Sequence, residues 1–359
     1  MPTVFLRWLL GRFFRNLVVV GAAMSSLLAL FDTLANASEV AGGSGTPPVL
    51  ALLFYMLLRL PIIAVFVLPF VVLIASVQTF SSLAAQREIL ALESAGFTLG
   101  RIAGTLGVGA ALLTSLQFVF EDRVVTELNA RMNEWKADDY HGLPKLKSAP
   151  VPSEWFFAGN HLIHSDQVSQ DGSLLQNTTI IEMDDAGVAA HYWKTEGAVH
   201  GEGGWRFGKA YGRDLRGPDQ SSKPPPLLEE MPPLALSSFS KPVEELRFSQ
   251  LRTLGWGNIT PQLHPPGFYR FWTNYRLAQP LGGIAMVLLA APLSLQVQRG
   301  VRRTWVSVGI FALGFCYFIS QGVLRALGEN GDIPALPATW GVFAVFGGAG
   351  LAAIAFRVK

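Results

Sequence analysis

The chain has 359 residues, half of them hydrophobic, and only 15% are charged, against roughly a quarter in ordinary soluble domains. With a mean hydropathy of +0.34, so few charges cannot cover a water-facing surface, and the composition points to long segments whose solvent is lipid. The net charge of +2 excludes a polyanion binder driven by bulk charge, and no nucleic-acid partner is expected. A single cysteine excludes an internal disulfide framework and a Cys-rich zinc site.

A helix crosses ~30 Å of hydrocarbon with about 20 mostly apolar residues. Six stretches qualify: Leu17–Ala35, Pro48–Leu83, Ile102–Phe120, Leu277–Val297, Trp305–Leu324 and Ala338–Phe356. The second exceeds one crossing, and Pro61 and Pro69 are potential kinks within it. Basic residues orient the set. Arg7, Arg12 and Arg15 precede span one, Arg87 and Arg101 lie between spans two and three, Arg299, Arg302 and Arg303 lie between spans four and five, and Arg357 and Lys359 close the chain. Six crossings put all of these on one side, which the positive-inside rule makes the cytoplasm. Both termini are then expected in the cytoplasm and residues 121–276 outside it.

The N-terminus imitates a signal peptide, with basic residues, an apolar run and a small-residue site at Ala35-Asn36-Ala37. Its basic region is long and carries Phe5, Trp8, Phe13 and Phe14, and its apolar run exceeds the usual length. The preferred reading is an interfacial amphipathic segment leading into a retained first helix.

Residues 151–248 change character. Strand-like fragments recur at Trp155–Phe157, His161–His164, Thr178–Met183, Ala189–Thr195 and Trp205–Tyr211. Turn signals at Asp171-Gly172, Asp185-Ala-Gly187 and Gly203-Gly204 separate them. Short strands at this spacing predict an antiparallel sandwich or jellyroll. Lys223-Pro-Pro-Pro226, Met231-Pro-Pro233 and His264-Pro-Pro266 mark connections that cannot be central strands.

Several patterns here imitate chemistry. Gly203 through Gly208-Lys209 resembles the start of a phosphate-binding loop, but Ala210 stands where Ser or Thr is needed and the setting is strand, not helix. His161 and His164, three apart on a strand, point to opposite faces and make a poor metal pair. Asn177-Thr-Thr179 is a glycosylation pattern common by chance, and Cys316 is a small hydrophobe within an apolar span. No nucleophilic triad, metal site or cofactor site is expected.

Between spans two and three, residues 84–97 are mostly good helix formers and stop at Gly96. Ala85, Ile89, Leu92 and Gly96 form one stripe, with Glu88 at its margin. An acid-bearing amphipathic helix at a cytoplasmic surface suits a protein partner better than anionic lipid. A plain extension of span two fits the periodicity equally well.

The stretch from Leu83 to Thr98, Leu-Ala-Ala-Gln-Arg-Glu-Ile-Leu-Ala-Leu-Glu-Ser-Ala-Gly-Phe-Thr, followed by Arg101-Ile102, resembles the cytoplasmic coupling helix of the LptF/LptG permeases of the bacterial lipopolysaccharide exporter. Arg276 and Pro280 at the opening of span four, and Arg299-Gly with Arg302 after it, add a second local likeness. The Ser-Ala-Gly-Phe-Thr form and Trp155 with Gly159-Asn160 look more like LptG than LptF.

The resemblance implies a membrane α-helical fold of six transmembrane helices with an inserted periplasmic all-β jellyroll-like domain. The expected division is 1–135 for the first transmembrane half, 136–266 for the β domain and 267–359 for the second half. It further implies a multi-pass inner-membrane protein in a heterodimer with an LptF-like permease. Below it would sit an LptB-like ATPase dimer, with LptC-like and LptA-like bridge proteins receiving lipopolysaccharide. By the same resemblance Glu88 engages the ATPase, with Arg87, Leu92, Gly96 and Phe97 shaping the contact, and this chain needs no ATP site of its own. A lipopolysaccharide cavity needs apolar walls and a basic rim. The candidate rim cations are Arg59 at the outer end of span two and Arg131 and Lys136 beyond span three, for each of which snorkelling or solvation is an equal alternative.

Two other functions remain open at this stage. A lipoprotein-release or macrolide-type permease places its outer domain after the first span, whereas here it follows the third. A membrane enzyme acting on envelope lipids would gather acids at one face, and Glu121, Asp122, Glu127, Asp138 and Asp139 are the residues such an enzyme would use.

Overall fold

The structure is a computed structural model that describes residues 3–43, 45–85, 99–144, 151–152, 155–158, 160–169, 172–184, 187–201, 204–215, 238, 241–256, 265–298 and 303–358. The proline-rich stretch 223–233, His264, Arg299 and Arg302 lie outside the described residues. The chain divides into two compact units, one formed by residues 1–146 with 274–359 and the other by residues 147–273.

The first unit is helical. It opens with α1 (Thr3–Ala35), a short α2 (Ala37–Gly42) and α3 (Pro48–Ala85). Helix α4 (Leu99–Phe120) continues through a five-residue π-helical turn, Glu121–Val125, into α5 (Thr126–Ala137). Among the described residues six helical segments are long and apolar enough to cross a membrane, three before the sheet in sequence and three after it.

Helix α1 follows its sequence. Leu9, Phe13 and Leu17, four apart, are buried on one stripe, while Val18 and Val19 beside them are exposed. That stripe packs on α3, where Val67, Val71, Val72, Leu73 and Ala75 join the same core. Pro61 and Pro69 both lie inside α3, and the helix runs through them. Proline in a membrane helix is tolerated where neighbours re-satisfy the freed backbone. Asn16 of α1 donates to Thr79 of α3 at 3.0 Å, and the Thr79 hydroxyl donates in turn to Ala75 O at 2.7 Å.

Among the described residues the second unit holds seven strands in one antiparallel sheet: β1 (Val151–Pro152), β2 (Phe156–Ala158), β3 (His161–Val168), β4 (Leu174–Met183), β5 (Ala189–Gly201), β6 (Gly204–Phe207) and β7 (Ala210–Asp214). The order is β1-β3-β4-β5-β6, with β2 also paired to β3 and β7 also paired to β5. From β2 to β6 consecutive strands pair, as short turns between them allow, whereas β1 and β7 each pair with a strand one further along in the chain. The fragment Trp205–Tyr211, expected as one strand, is two, since the chain bends at Gly208-Lys209. There Gly208 N donates to Gly197 O at 2.8 Å, which turns the false phosphate-loop pattern into a sheet corner.

Alternation sets the buried face. Ile163, Ile180 and Trp193 align across β3, β4 and β5 and are buried. One row over, the buried Ser165 and Thr178 hydroxyls bond at 2.7 Å. The opposite row reads His161, Glu182, His191 and Asp214 across four strands. His191 Nδ1 lies 3.0 Å from Glu182 Oε2 there. His164, on the other face as its spacing requires, packs against Trp155 at 4.8 Å between ring centres.

This unit also carries α6 (Phe248–Trp256) and the start of α7 (Pro266–Ala278). Arg270 of α7 donates from Nε to Gly255 O at 2.7 Å and lies over the Trp256 ring.

In the first unit, α7 gives way to a 3-10 turn at Gln279–Leu281, then α8 (Gly282–Gln298), α9 (Arg303–Glu329) and α10 (Ala335–Val358). Pro280 lacks an N–H and accounts for the local change of helix type. Helix α8 is the centre of the bundle and packs against α3, α4, α9 and α10. Ala285, Met286, Val287, Ala290 and Ala291 on it are fully buried. Small residues allow that approach, because helices in lipid associate by close van der Waals packing rather than hydrophobic exclusion.

Gly350 of α10 marks the tightest crossing with α8. A Cβ there would lie 2.8 Å from the Leu288 carbonyl carbon and 2.9 Å from Leu289 N, both backbone. Gly348, two residues earlier, faces open space. Gly350→Ala should therefore lower the thermal stability of the detergent-solubilised chain by about 1–3 kcal/mol through overpacking. Gly348→Ala should leave it at or above wild type. Equal midpoints for the two variants would contradict this crossing.

Candidate functional site

The five coupling positions expected between spans two and three, Arg87, Glu88, Leu92, Gly96 and Phe97, lie outside the described residues. What the structure does place are the polar groups at the opposite end of the spans, the end that leads into the β unit in sequence.

Asp32, in the last turn of α1, faces α3. Arg59 donates from Nε to Asp32 Oδ2 at 2.9 Å and from Nη2 to Oδ1 at 3.4 Å. The Tyr55 hydroxyl donates to the same Oδ2 at 3.0 Å. Tyr55 precedes Arg59 by four residues, so one face of α3 brings both donors to one carboxylate. The side chains of Arg59 and Asp32 are 34% and 25% exposed, so the pair is only partly buried.

Tyr55 also joins an aromatic cap. It belongs to a buried cluster with Val40, Ala51, Met132, Trp135 and Tyr140. Tyr140 meets Tyr55 edge-on at 6.2 Å and Trp135 at 5.1 Å. Trp135 Nε1 donates to Gly142 O at 3.2 Å. The turn that delivers Tyr140 holds two successive non-glycine residues in the left-handed region, Asp139 at φ +48° and Tyr140 at φ +55°. Each such residue costs on the order of 1–3 kcal/mol unless its surroundings enforce it. Gly43 provides part of that enforcement, since any Cβ there would collide with the Tyr140 carbonyl oxygen. Burial, and after it the nearby Glu39 charge, push the Tyr140 phenol above its ordinary value.

Arg131 and Lys136 sit on α5 near this cap. Arg131 donates from Nε to Glu127 Oε1 at 3.1 Å, one helical turn away. Lys136 is exposed. Arg131 also lines a small surface depression with Glu134, Trp135, Asp138, His141 and Leu143. Of the three candidate cations, then, two are held by carboxylates and one stands in the open.

Three of the five acids that an envelope-lipid enzyme would use face cations instead. Glu127 holds Arg131, while Glu121 and Asp122 face the buried Arg276 at 3.9 and 3.8 Å. Among the described residues no three His, Cys, Asp or Glu side chains converge to hold a metal.

Tyr55 is the member of the site that composition and motif did not reveal. A signal existed: an aspartate in an apolar span requires donors at the same depth, and Tyr55 with Arg59 occupies one face of the next helix.

The Asp32 contact is expected to be coupled. In a double-mutant cycle of Asp32→Asn and Arg59→Gln, read by thermal unfolding, the two losses should fall short of additivity by about 0.5–3 kcal/mol. Strict additivity would mean that the two side chains do not depend on each other.

One comparison identifies relatives of this arrangement. The family model described as lipopolysaccharide export system permease LptF/LptG matches residues 7–355, nearly the whole chain. No curated protein matches it.

Proposed function

The chain belongs to the LptF/LptG family of lipopolysaccharide export permeases, and on that premise we propose that it is an LptG-type subunit working beside an LptF-like permease. An LptB-like ATPase dimer drives the pair from the cytoplasm, and LptC-like and LptA-like proteins carry the lipid onward. Both termini are cytoplasmic and the sheet is periplasmic. The chain hydrolyses no ATP and acts by lifting lipopolysaccharide out of the inner membrane. The single observation that carries this reading is the family match running through three spans, an antiparallel sheet and three further spans.

In this reading residues 84–97, between spans two and three, are the coupling element. Glu88 is its charged contact, Arg87, Leu92, Gly96 and Phe97 complete the docking surface, and closure of the ATPase dimer is passed to spans two and three as a rigid-body rotation. Arg59, Arg131 and Lys136 form the basic rim that receives the lipid's phosphates. Arg59 is held ready by Asp32 and Tyr55, so its planar fork is already oriented toward an anion. Functionally, 1–135 and 267–359 are the two transmembrane halves and 136–266 is the periplasmic domain.

Two substitutions test the halves of this proposal separately. Glu88→Ala should reduce co-purifying ATPase or its coupling to export while membrane insertion stays intact. Unchanged association together with unchanged export would remove Glu88 from the coupling contact. Arg59→Ala should leave ATPase association at wild-type level and reduce photocrosslinking of lipopolysaccharide to spans one and two. Undiminished crosslinking would remove Arg59 from the rim.

A further inference from the structure

The exposed face of α1 changes chemistry partway along its length. On the buried side Leu9, Phe13 and Leu17 share one core with Phe80 and Leu83 of α3 and Leu106 of α4. The opposite face carries Arg7, Trp8, Gly11 and Arg15, and then Val18, Val19 and Ala22, all of them exposed. Arg7, Gly11, Arg15, Val18 and Ala22 step by four, four, three and four, so they run in one ridge along the helix. Arg12 lies beside it, with its guanidinium over the Trp8 ring at 5.4 Å.

The start of this face carries charge of one sign. The first acidic residue of the chain is Asp32, so the three arginines stand in a segment with no carboxylate of its own. Among the described residues neither Arg7 nor Arg15 has an ion-pair partner. Length gives their depth. The apolar segment Arg7–Ala35 has 29 residues, about 44 Å of helix, whereas the hydrocarbon core is ~30 Å thick. With Asp32 and Arg59 at the other boundary, the excess of about 14 Å is roughly nine residues. That is the stretch from Arg7 to Arg15, which therefore lies at headgroup level, where tryptophan is also favoured. Side chains on a helix tilt toward its N-terminus, so Arg15 leans toward Gly11. A Cβ at Gly11 would meet nothing within 4 Å, and the backbone between the two arginines is open to a headgroup.

We propose that this ridge is a binding site for an anionic glycerophospholipid. Arg7 and Arg15 hold its phosphate above Gly11, and its acyl chains run along Val18, Val19 and Ala22. Each guanidinium offers parallel N–H donors to phosphate oxygens. A zwitterionic lipid brings an ammonium beside its phosphate, which two unpaired guanidiniums repel, so the site selects for net charge. It lies at the opposite end of α1 from Asp32 and does not depend on what the chain exports. A lipid bound there fixes the depth of the helix that presents Asp32 to Arg59.

The test is native mass spectrometry of the full chain released from nanodiscs with equal amounts of phosphatidylglycerol and phosphatidylcholine of the same acyl chains. Wild type should retain phosphatidylglycerol in preference. Arg7→Gln and Arg15→Gln should each lower that retention about fivefold. Gly11→Leu, which fills the gap and keeps every charge, should lower it as well. Arg252→Gln, at an exposed cation on α6 in the other unit, should leave it unchanged. All four positions are exposed, so the variants should keep the wild-type Tm. Equal retention of the two lipids, undiminished retention in both arginine variants, or an equal loss in Arg252→Gln would overturn the site. Two outcomes would give the face to another occupant and overturn it equally. One is displacement of the retained phosphatidylglycerol by added lipopolysaccharide, and the other is its absence from the assembly purified with co-migrating proteins.

Discussion

Hydrocarbon supplies no hydrogen bonds, so a polar group carried into it is costly unless it brings a partner along. The helical unit is organised around that constraint. Asp32 is matched by Arg59 and Tyr55, Arg276 by Glu121 and Asp122, Asn16 by Thr79, and Thr114 by the Pro280 carbonyl. Each match joins two different helices, so satisfying a polar group and fixing a helix pair are one event. The apolar side chains fill the volume between these contacts but are less selective about register, because lipid is as apolar as leucine.

On the proposed function, α3 becomes the part of the chain that links its two tasks. It carries Tyr55 and Arg59 near its start, and its end enters the segment 84–97. Its 38 residues span roughly 57 Å at 1.5 Å per residue, and its two internal prolines do not interrupt it. If Arg59 meets the lipid and the segment beyond the other end meets an ATPase, as proposed, this continuous helix would act as a lever between them. In that reading a rotation set at one end of α3 reaches Arg59 without any intermediate element.

How much of this was legible depended on the kind of signal. The six apolar runs declared themselves, since crossing hydrocarbon leaves little freedom in composition. Their ends did not. Span three was expected to stop at Phe120 because Glu121, Asp122 and Arg123 are charged, yet the helix continues to Ala137 through a π-helical turn that gives two of those charges a partner. Span four was expected from Leu277, yet α7 begins at Pro266, because an amphipathic aromatic segment reads as loop to a hydropathy count. In the sheet, the fragments were placed well and their lengths were not. The strand β5 reaches Gly201 past its last β-branched alternation, held by pairing on both sides. At the site, Arg59 was visible as a lone cation, whereas its dependence on Asp32 and Tyr55 required knowing that α1 and α3 are neighbours.

The most direct measurement of the central claim is mass spectrometry of everything that accompanies the tagged full chain through mild-detergent purification from its own host. A second six-span permease of the same family, a cytoplasmic ATPase and bound lipopolysaccharide should travel with it. A homogeneous single chain carrying an unrelated lipid and no ATPase would contradict the exporter reading.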